Sequence, residues 1–462
     1  MTAASEPRPR LVYADKIILA PMVRIGTLPM RLLALDYGAD IVYTEELIDW
    51  KLLRCVRREN DVLKTVDYID KTDGTVVFRT CARERDRVVL QLGSCDAGRA
   101  LRVARLVESD VAGIDLNMGC PRRFSVLGGM GAALLGQPEK ASGMLRGLVE
   151  GLSIPVTCKI RVLPSLEATL ELCDTLASSG IAAIAVHGRT IDERPQHANR
   201  NYVLKKIAEH LSIPVIANGG SKEIEKREDI FRFKQDTHCS SVMIARSAEW
   251  NCSIFRSTEM LPMEQVIRDY LKLAVDYDNS PSNTKYCVQN ILRELQESPL
   301  GKRFLETQTL EQICEVWSMD NYCRAKTQEY RVKGFQGRFE VAPERLGILS
   351  SGGSKRKLEE EAEDVQLMCC AFLRNKYNDE SSLPKSRLAR WTESNRKKLP
   401  SYVTIHEEKL FRSVVLVDGR KYGSSFWEKN KKWAEQGAAL VCLCALGVID
   451  PETLTKSGNL LA

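Results

Sequence analysis

The sequence predicts an α/β fold in which a (β/α)8 TIM barrel is followed by a helical domain and then by a small basic domain. Short apolar, β-branched runs alternate with amphipathic segments in the first half of the chain, and an all-helical pattern follows them. Lys and Arg then outnumber Asp and Glu by 15 to 8 between residues 364 and 433. A chain of 462 residues with 44% hydrophobic residues is long enough for about two to four globular domains.

The barrel is predicted over residues 12–260 from eight apolar runs, each followed by a helix-like segment. Strands that are apolar on both faces are typical of a parallel sheet covered by helices. Eight such units in about 240 residues fit a closed barrel better than a doubly wound sheet, and no GxGxxG motif follows the first run. The runs are IILAPM (17–22), DIVYTEE (40–46), VVLQLG (88–93), GIDLNMG (113–119), VTCKIRV (156–162), AIAVHGR (183–189), PVIANGG (214–220) and SVMIAR (241–246).

Polar side chains collect at the C-terminal ends of these runs. In a barrel these ends converge on one face, and active sites of this fold are built there. The residues are Met22, Glu45, Glu46, Gln91, Asn117, Cys120, Lys159, Arg161, His187, Arg189, Asn218 and Arg246.

The rest of the chain divides by composition. Residues 47–87 form a long insertion between the second and third runs, and a small hairpin is predicted within it. A helical domain is predicted over residues 261–335. A Gly/Ser-rich and then charged segment over 336–363 is typical of a linker. A last domain is predicted over 364–450. Its predicted order is a helix in VQLMCCAFLRNKY, strands in PSYVTIHEEK and LFRSVVLVDGRKYGSS, and a helix in FWEKNKKWAEQGAALVCLCALG.

The fifteen cysteines are scattered through apolar runs, which is not the pattern of a disulfide framework. We find no CxxC pair, and the two close pairs, Cys369-Cys370 and Cys442-x-Cys444, are interpreted as core thiols and not as metal ligands. No signal peptide and no stretch of eighteen apolar residues is found. We therefore expect a cytoplasmic protein with reduced thiols, no metal site and no membrane contact.

The strand ends also have the features that a flavin mononucleotide (FMN) site needs. Gly-rich backbone and an Arg suit a phosphate, and the ends of runs seven and eight supply Asn218-Gly219-Gly220 and Ala245-Arg246. Lys159 is a cation for the flavin N1–C2 region, and Gln91 a hydrogen-bonding group for the ring edge. Purely structural interpretations of these residues also remain open. In them the lysine pairs with a nearby glutamate, and the two glycines form only a turn.

Cys120 allows two interpretations. Cysteine is among the most buried residue types and is usually inert. However, this one follows a strand end between Gly119 and Pro121, in a loop and not on a helix face. A thiol close to a hydride source can act as a general acid. His187 is the alternative acid, or a hydrogen-bonding partner of a phosphate or substrate.

Taken in order, these motifs resemble those of the tRNA-dihydrouridine synthases over residues 12–335. The resemblance implies bound FMN, NADPH or NADH as electron donor, hydride transfer to C6 of a uracil in tRNA, and protonation of C5 by Cys120. The motifs are APMVRIGTLPMRLLALDYGADIVYTEELI, GIDLNMGCP with GGMGAALL, VTCKIRV, AVHGR, PVIANGG and MIAR.

The resemblance also implies roles for individual side chains. Residues that match the family's flavin contacts are Pro21, Met22, Val23, Gln91, Lys159, His187, Asn218, Gly219, Gly220, Ala245 and Arg246, and those on the substrate side are Asn117 and Arg161. One position departs from the pattern: relatives carry a Lys shortly before GGMG, where this chain has Leu127. Arg122 or Arg123 is then the candidate to replace that charge.

Within the family, the chain is similar to the eukaryotic branch that acts on uridine 20 of the D-loop and carries a C-terminal double-stranded-RNA-binding domain. Residues 364–450 resemble such a domain, with the order α-β-β-β-α. Lys429, Lys431 and Lys432 at its last helix would contact RNA phosphates; a solvated helix start is the alternative. We expect tRNA as the partner and a monomeric protein.

Two other functions remain open from the sequence. A flavoprotein that reduces a free pyrimidine would share the barrel and the acid but would have no use for the basic domain. A non-enzymatic RNA-binding protein on a retained barrel would lack flavin, and Cys120→Ala would leave its function intact.

Overall fold

The computed structural model divides the chain into two compact units. The first comprises Met1–Ile69 and Val76–Phe335, and the second comprises Asp70–Thr75 and Gln336–Ala462. The predicted linker, 336–363, lies outside the described part of the chain, and the predicted domain boundaries remain predictions. The residues that the structure describes are 10–71, 74–334, 365–373, 377, 379–407, 410–428 and 430–456.

The first unit is built around a closed barrel of parallel strands. Its strands are β1 (Ile17–Leu19), β2 (Ile41–Tyr43), β3 (Leu47–Ile48), β4 (Cys55–Asn60), β5 (Thr65–Asp70), β6 (Val76–Cys81), β7 (Val88–Gly93), β8 (Gly113–Asn117), β9 (Val156–Arg161), β10 (Ala183–His187), β11 (Val215–Asn218) and β12 (Ser241–Ile244). The order β2-β1-β12-β11-β10-β9-β8-β7 closes through pairing of β2 with β7. Each of the eight apolar runs forms one barrel strand, which confirms the predicted TIM barrel.

The insertion between β2 and β7 is larger than the hairpin that the sequence indicated. Strands β5 and β6 do form an antiparallel pair, but β4 joins them to make a three-stranded sheet. The short strand β3 instead continues the barrel edge, where Leu47 lies opposite Leu92 and Ile48 opposite Gly93 of β7. This pairing fixes the backbone that follows β2 at the barrel mouth.

Helices cover the barrel and then continue as the predicted helical segment. Helix α3 shows why: Ala100, Val103, Ala104 and Val107 form one buried stripe, and the Asp96 side chain caps its first turn by accepting from Arg99 N. The helices are α1 (Leu28–Asp36), α2 (Asp49–Leu53), α3 (Ala97–Val107), α4 (Arg123–Leu127), α5 (Pro138–Gly151), α6 (Leu166–Ala177), α7 (Asn201–His210), α8 (Arg227–Thr237), α9 (Arg246–Trp250), α10 (Met263–Asp276), α11 (Pro281–Leu292), α12 (Pro299–Glu306), α13 (Leu310–Val316) and α14 (Asp320–Val332).

A buried ion pair joins helix α1 to the insertion. Arg31 and Glu84 are 2% and 0% exposed, and the Nη2–Oε1 distance is 2.6 Å. The same guanidinium donates to the carbonyl oxygens of Gly26 and Arg79, while Thr80 Oγ1 donates to the carboxylate. Because every partner is satisfied, the cost of burying the two charges is offset within this network.

The second unit contains a four-stranded sheet and helices. Their order is the predicted α-β-β-β-α, with one additional strand in front and one additional short helix behind. The sheet order is β13-β16-β15-β14, and β13 pairs parallel to β16. The elements are β13 (Val365–Met368), α15 (Pro384–Ser394), β14 (Ser401–Glu407), β15 (Leu410–Val417), β16 (Arg420–Ser424), α16 (Lys431–Ala445) and α17 (Pro451–Lys456).

Two predicted elements of this unit were wrong in detail. VQLMCCAFLRNKY was predicted to be the first helix, but its start forms β13, because pairing with β16 supplies its backbone partners. The first helix is PKSRLARWTES, with Pro384 in its first turn. The last helix begins at Lys431 and not at Phe426, because the Asn430 side chain caps it by accepting from Trp433 N.

Within the part of the chain that the structure describes, no helix combines the length and the apolar character that crossing a membrane requires.

Candidate active site

The loop that carries Cys120 is held at the C-terminal mouth of the barrel by hydrogen bonds. Asn117, the last residue of β8, accepts through Oδ1 from Gly119 N at 2.9 Å and from Cys120 N at 3.0 Å. Arg161, the last residue of β9, donates from Nε to Gly119 O at 2.8 Å. On the far side, Ala132 N donates to Cys120 O. The cysteine therefore has a fixed backbone although it lies in a loop.

Cys120 differs from the core thiols in both exposure and surroundings. It is half-buried, whereas Cys158 and Cys173 of the barrel are fully buried. Burial and the negative charge of Glu46 both raise the pKa of the Cys120 thiol above its usual value. It therefore stays protonated at neutral pH, which is the state that a proton donor needs.

Gln91 and Asn117 belong to a buried network inside the barrel. Gln91 Nε2 donates to Asp115 Oδ2 at 2.9 Å, and Asn117 Nδ2 donates to Gln91 Oε1 at 3.1 Å. Thr157 Oγ1 donates to the other oxygen of Asp115, and burial raises the pKa of this carboxyl group to about 6. Asp115 was not among the predicted site residues, although a carboxylate inside the apolar run GIDLN already indicates a buried polar site.

Lys159 lies in the barrel interior and not in a salt bridge with the glutamates after β2. Burial and the positive charge of Arg161 lower its pKa to about 8, against the opposing charge of Asp115. Among the described residues no ion pair joins it to Glu45 or Glu46, and Glu45 Oε2 instead accepts from the backbone N–H of Arg24. The alternative of a structural Lys–Glu pair is therefore wrong for this lysine.

A cavity of about 370 Å³ opens beside the Cys120 loop. It brings together the ends of the later barrel strands with an excess of positive charge. Sequence analysis did not assign Arg122, Arg189, Arg194 or Ser221 to a cofactor site. Its lining includes Pro121, Arg122, Arg161, His187, Arg189, Arg194, Asn218, Gly219, Gly220, Ser221, Ala245 and Arg246.

The two glycines after β11, Gly219 and Gly220, line the cavity and form the glycine cradle, where neighbouring side chains leave no room for a Cβ. Gly219 has φ +115°, and a Cβ there would lie 2.0 Å from Asn199 Oδ1; a Cβ on Gly220 would lie 2.9 Å from Ile224 Cδ1. The backbone of Gly219 is fixed in turn by Arg189, whose Nη1 donates to its carbonyl oxygen at 2.6 Å. The glycines are therefore more than a turn: they are required by the space and by the backbone conformation.

His187 is neutral in this environment. Burial and the positive charges of Lys159 and Arg161 lower its pKa to about 2. Its Nε2 lies 3.3 Å from Arg189 Nη1. A neutral imidazole can accept or donate a hydrogen bond, but it cannot supply a proton readily near neutral pH.

The remaining predicted cofactor residues lie at the barrel mouth but outside the lining of this cavity. Pro21 and Met22 follow β1 and are half-buried, whereas Val23 is exposed. Gln91 and Lys159 lie deeper, on β7 and β9. Their contact with a flavin remains a prediction.

The predicted RNA contacts lie in the second unit. Lys431 and Lys432 are exposed in the first turn of α16, and Lys431 Nζ is 3.9 Å from Glu435 Oε1. Lys429 lies outside the described residues. In the first unit, Leu127 at the end of α4 is 75% exposed.

Comparison with known proteins identifies both parts of the chain. Residues 18–297 match the family model described as dihydrouridine synthase (Dus), and residues 384–446 match the double-stranded RNA binding motif. A crystal structure of a mutant human tRNA dihydrouridine synthase (20) dsRBD is 38% identical, covering 18% of this chain and 88% of that chain, with a TM-score of 0.17.

Two curated relatives are similar to more than half of the chain. The tRNA-dihydrouridine(20) synthase (NAD(P)+) of Schizosaccharomyces pombe is 39% identical over 61% of this chain and 60% of its own length. The enzyme of the same name from Saccharomyces cerevisiae is 36% identical over 61% of this chain and 78% of its own length. The match thus spans less than two thirds of the fission-yeast protein. The Dus family model covers more than half of the chain and contains the loop of Cys120 and the glycine cradle, so the chain belongs to the dihydrouridine synthase family.

Proposed function

We propose that this protein reduces the C5–C6 double bond of a D-loop uridine, uridine 20, in tRNA. The proposal is supported by the relatives, which are named for that reaction, and by a second unit that matches an RNA-binding motif. A uracil in folded tRNA is not reachable by a barrel mouth, so the nucleotide must be turned out of its stack before it reacts.

The observation that carries the proposal is the placement of the Cys120 thiol. It is half-buried, it has a fixed backbone, and its pKa is raised. The residues that follow it, Pro121 and Arg122, line the cavity that ends in the glycine cradle. The thiol and the glycine cradle thus share one face of the barrel.

The cradle fits the FMN that the Dus family requires. Gly219 and Gly220 line the cavity without side chains, and Arg246 adds positive charge at the same end of the cavity. When bound and reduced, FMN supplies a hydride for C6 of the uracil.

The proton that C5 receives comes from a residue of the chain itself. The Cys120 S–H bond breaks as a C5–H bond forms, so that the hydride at C6 and the proton at C5 together complete the reduction. The thiolate that remains lies close enough to Lys159 and Arg161 for their charges to stabilise it, since the cysteine raises the pKa of both. The fixed loop keeps this thiol aimed at one face of the base.

NADPH is the proposed electron donor, with NADH as the alternative that the relatives' names leave open. Lys431 and Lys432 are proposed to contact RNA phosphates across a groove, since double-stranded RNA is recognised mainly by its shape, its 2′-OH groups and its phosphates. The monomeric state and the cytoplasmic location remain predictions from the sequence.

The proposed function can be tested by measuring the absorbance of the flavin. Purified protein should show a flavin absorbance band that NADPH bleaches without oxygen and that unmodified tRNA restores. Free uracil is the control: if it restores the band as fast as tRNA does, and deletion of residues 336–462 has no effect, the protein is a free-pyrimidine reductase. Absence of flavin after reconstitution with FMN would overturn the enzymatic proposal altogether.

A further inference from the structure

We propose that Asp115 is a positioning residue for Cys120, because its carboxylate is the last acceptor of a hydrogen-bond chain that holds the cysteine loop. The chain passes through Asn117 and Gln91. This inference rests on the proposed function, since it assigns the group that keeps the proton donor in place for protonation of C5. Neither the strand-end pattern nor the family resemblance gave Asp115 a role.

Strand register brings the side chains of this chain together inside the barrel. Gln91 of β7 lies opposite Asp115 of β8, and Asp115 lies opposite Thr157 of β9. Asn117 is two residues further along β8, and alternate residues of a strand point to the same face. Exposure rises from 0% at Asp115 to 3% at Gln91 and 8% at Asn117. The chain therefore leads from the closed interior of the barrel to its mouth.

Every link of the chain is a hydrogen bond of normal length. Gly119 N and Cys120 N donate to Asn117 Oδ1 at 2.9 and 3.0 Å. Asn117 Nδ2 donates to Gln91 Oε1 at 3.1 Å, and Gln91 Nε2 donates to Asp115 Oδ2 at 2.9 Å. All four distances are in the usual range for N–H···O bonds. The backbone of the cysteine loop is thus joined to one buried carboxylate.

The two ends of the chain fix the direction of its hydrogen bonds. A backbone N–H can only donate, and an ionised carboxylate can only accept. Burial raises the pKa of Asp115 to about 6, so this group is mostly ionised at neutral pH. Gln91 and Asn117 can each satisfy both neighbours in only one orientation of the side-chain amide. Because bonds in such a chain strengthen one another, the charge of Asp115 acts on the loop through a fixed orientation of Asn117.

Neighbouring strands hold the carboxylate and the middle amide. Thr157 Oγ1 donates to Asp115 Oδ1 at 2.7 Å, and Tyr43 Oη lies 3.4 Å from the same hydroxyl oxygen. The backbone N–H of Gln91 donates to Thr44 Oγ1 at 3.0 Å. The far end of the chain is therefore anchored in the barrel, and the loop end takes its position from it.

Loss of the carboxylate should release the loop without opening the barrel. Gln91 would have no acceptor for its Nε2, and its amide could turn so that it presents N–H groups to the N–H groups of Asn117. Asn117 would then no longer be held towards the loop. In contrast, Met118 N donates to Lys159 O, a backbone bond between barrel strands that does not depend on this chain. The two kinds of bond can therefore be told apart by experiment.

Hydrogen exchange at single amides tests the chain without any substrate, in the full-length protein saturated with FMN. In Asp115→Leu the amides of Gly119 and Cys120 should exchange about tenfold faster than in the wild type or more, whereas that of Met118 should keep its rate. Fragmentation mass spectrometry resolves the three amides. Wild-type exchange at Gly119 and Cys120, or equal acceleration at Met118, would overturn the inference.

A second buried carboxylate provides the matched control. Asp110 is 5% exposed, and it accepts from Arg57 and Tyr68 instead. Asp110→Leu should therefore leave the exchange of the Cys120 amide at the wild-type rate. Acceleration in this variant as large as in Asp115→Leu would contradict a specific chain, because any buried carboxylate would then have the same effect.

Combined substitutions test whether the residues act in series. Gln91→Met removes the middle link, so it should accelerate exchange of the Cys120 amide as much as Asp115→Leu does. The double variant should be no faster than either single variant, because coupled residues are not additive. Additive acceleration would contradict the chain. If Asp115→Leu does not fold, Gln91→Met alone must accelerate Cys120 and not Met118.

Kinetics separate positioning of the acid from binding of RNA. In Asp115→Leu, kcat for dihydrouridine formation should fall about tenfold or more, while KM for tRNA stays within about twofold. Asp115→Asn should recover part of the loss, because its amide oxygen can still accept from Gln91. A raised KM with an unchanged kcat would contradict the role. Should Cys120→Ala retain full activity, the proposed function fails, whereas the exchange test of the chain is unaffected.

Discussion

At the scale of single residues, burial sets the proton affinity of the groups around the barrel mouth. It raises the pKa of Cys120 and raises that of Asp115 to about 6. It lowers the pKa of Lys159 to about 8 and that of His187 to about 2. At neutral pH the site therefore has a protonated thiol, a lysine that is still mostly charged and a neutral imidazole. This combination suits protonation of carbon by the thiol.

Replacement of Cys120 by alanine separates chemistry from binding. We expect Cys120→Ala to keep bound flavin and tRNA affinity, because the loop backbone is fixed by Asn117 and Arg161. Dihydrouridine formation should fall by about 10²–10⁴-fold, as for loss of a general acid. Mass spectrometry of the tRNA measures the product. Cys369→Ala, which removes another half-buried thiol, should change nothing; full activity of the Cys120 variant would refute the assignment.

The cysteine's acidity gives a pH dependence of definite sign. Because its pKa lies above the usual value of 9.0, the protonated, active form persists through neutral pH and is lost as pH rises beyond that value. Titration of this thiol should therefore lower product formation only on the alkaline side. A loss centred near pH 6 would instead report Asp115, whose pKa is raised to about 6, because the pKa of His187 is lowered to about 2.

At the scale of elements, the barrel was predictable and the contacts across its mouth were not. The eight strands can be recognised in the sequence because each is apolar on both faces and is followed by polar residues. The close approach of the Glu46 side chain to Gly93 depends on the register of β3 against β7, which periodicity does not encode. The helix predicted for VQLMCCAFLRNKY is wrong at its start, where Val365–Met368 form β13, because a short apolar run does not distinguish a strand from a buried helix.

The glycine cradle gives a prediction at this scale. Gly219→Ala forces a side chain onto a backbone at φ +115° and places its Cβ 2.0 Å from Asn199 Oδ1. Strain of about 1–3 kcal/mol should weaken FMN binding about tenfold or more, measured by flavin fluorescence on titration. Gly143→Ala in α5, where nothing lies within 4 Å of the new Cβ, is the control. Equal flavin affinity in both variants would argue against the cradle.

The buried ion pair between α1 and the insertion predicts a stability effect. Glu84→Ala leaves Arg31 buried without its carboxylate, and the free energy of unfolding should fall by about 3–5 kcal/mol, measured by chemical denaturation. The control is Glu311→Ala, since the Arg324–Glu311 pair is 54% and 49% exposed and should cost about 1 kcal/mol or less. Similar losses in the two variants would contradict the role of burial.

At the scale of the whole molecule, the chain combines a catalytic unit with a unit of the RNA-binding type. Each was visible in the sequence, one through strand periodicity and the other through its local excess of Lys and Arg. The cavity arginines were harder to find, because Arg122 and Arg194 lie in loops whose path only the fold defines. The Lys and Arg excess of the last domain indicates the class of binding partner. The positions of the cavity arginines, by contrast, follow only from the fold.

Salt dependence tests the RNA contacts. Changing Lys431 and Lys432 to Ala should weaken tRNA binding and reduce the slope of log affinity against log salt by about one for each lost phosphate contact. Lys205→Ala with Lys206→Ala removes the same charge from α7 of the barrel and should leave the slope nearly unchanged. If the α16 variant keeps the wild-type slope, these lysines are only a solvated helix start.

The most direct test of the central claim is one reaction followed by mass spectrometry. Unmodified tRNA is incubated with the flavin-loaded protein and NADPH, and nucleotide 20 is analysed. Our account predicts that this uridine gains two hydrogen atoms with the wild type and stays unreduced with Cys120→Ala. Unreduced tRNA with the wild type, or equal product with both proteins, would contradict the claim that this barrel and this cysteine carry out the reduction.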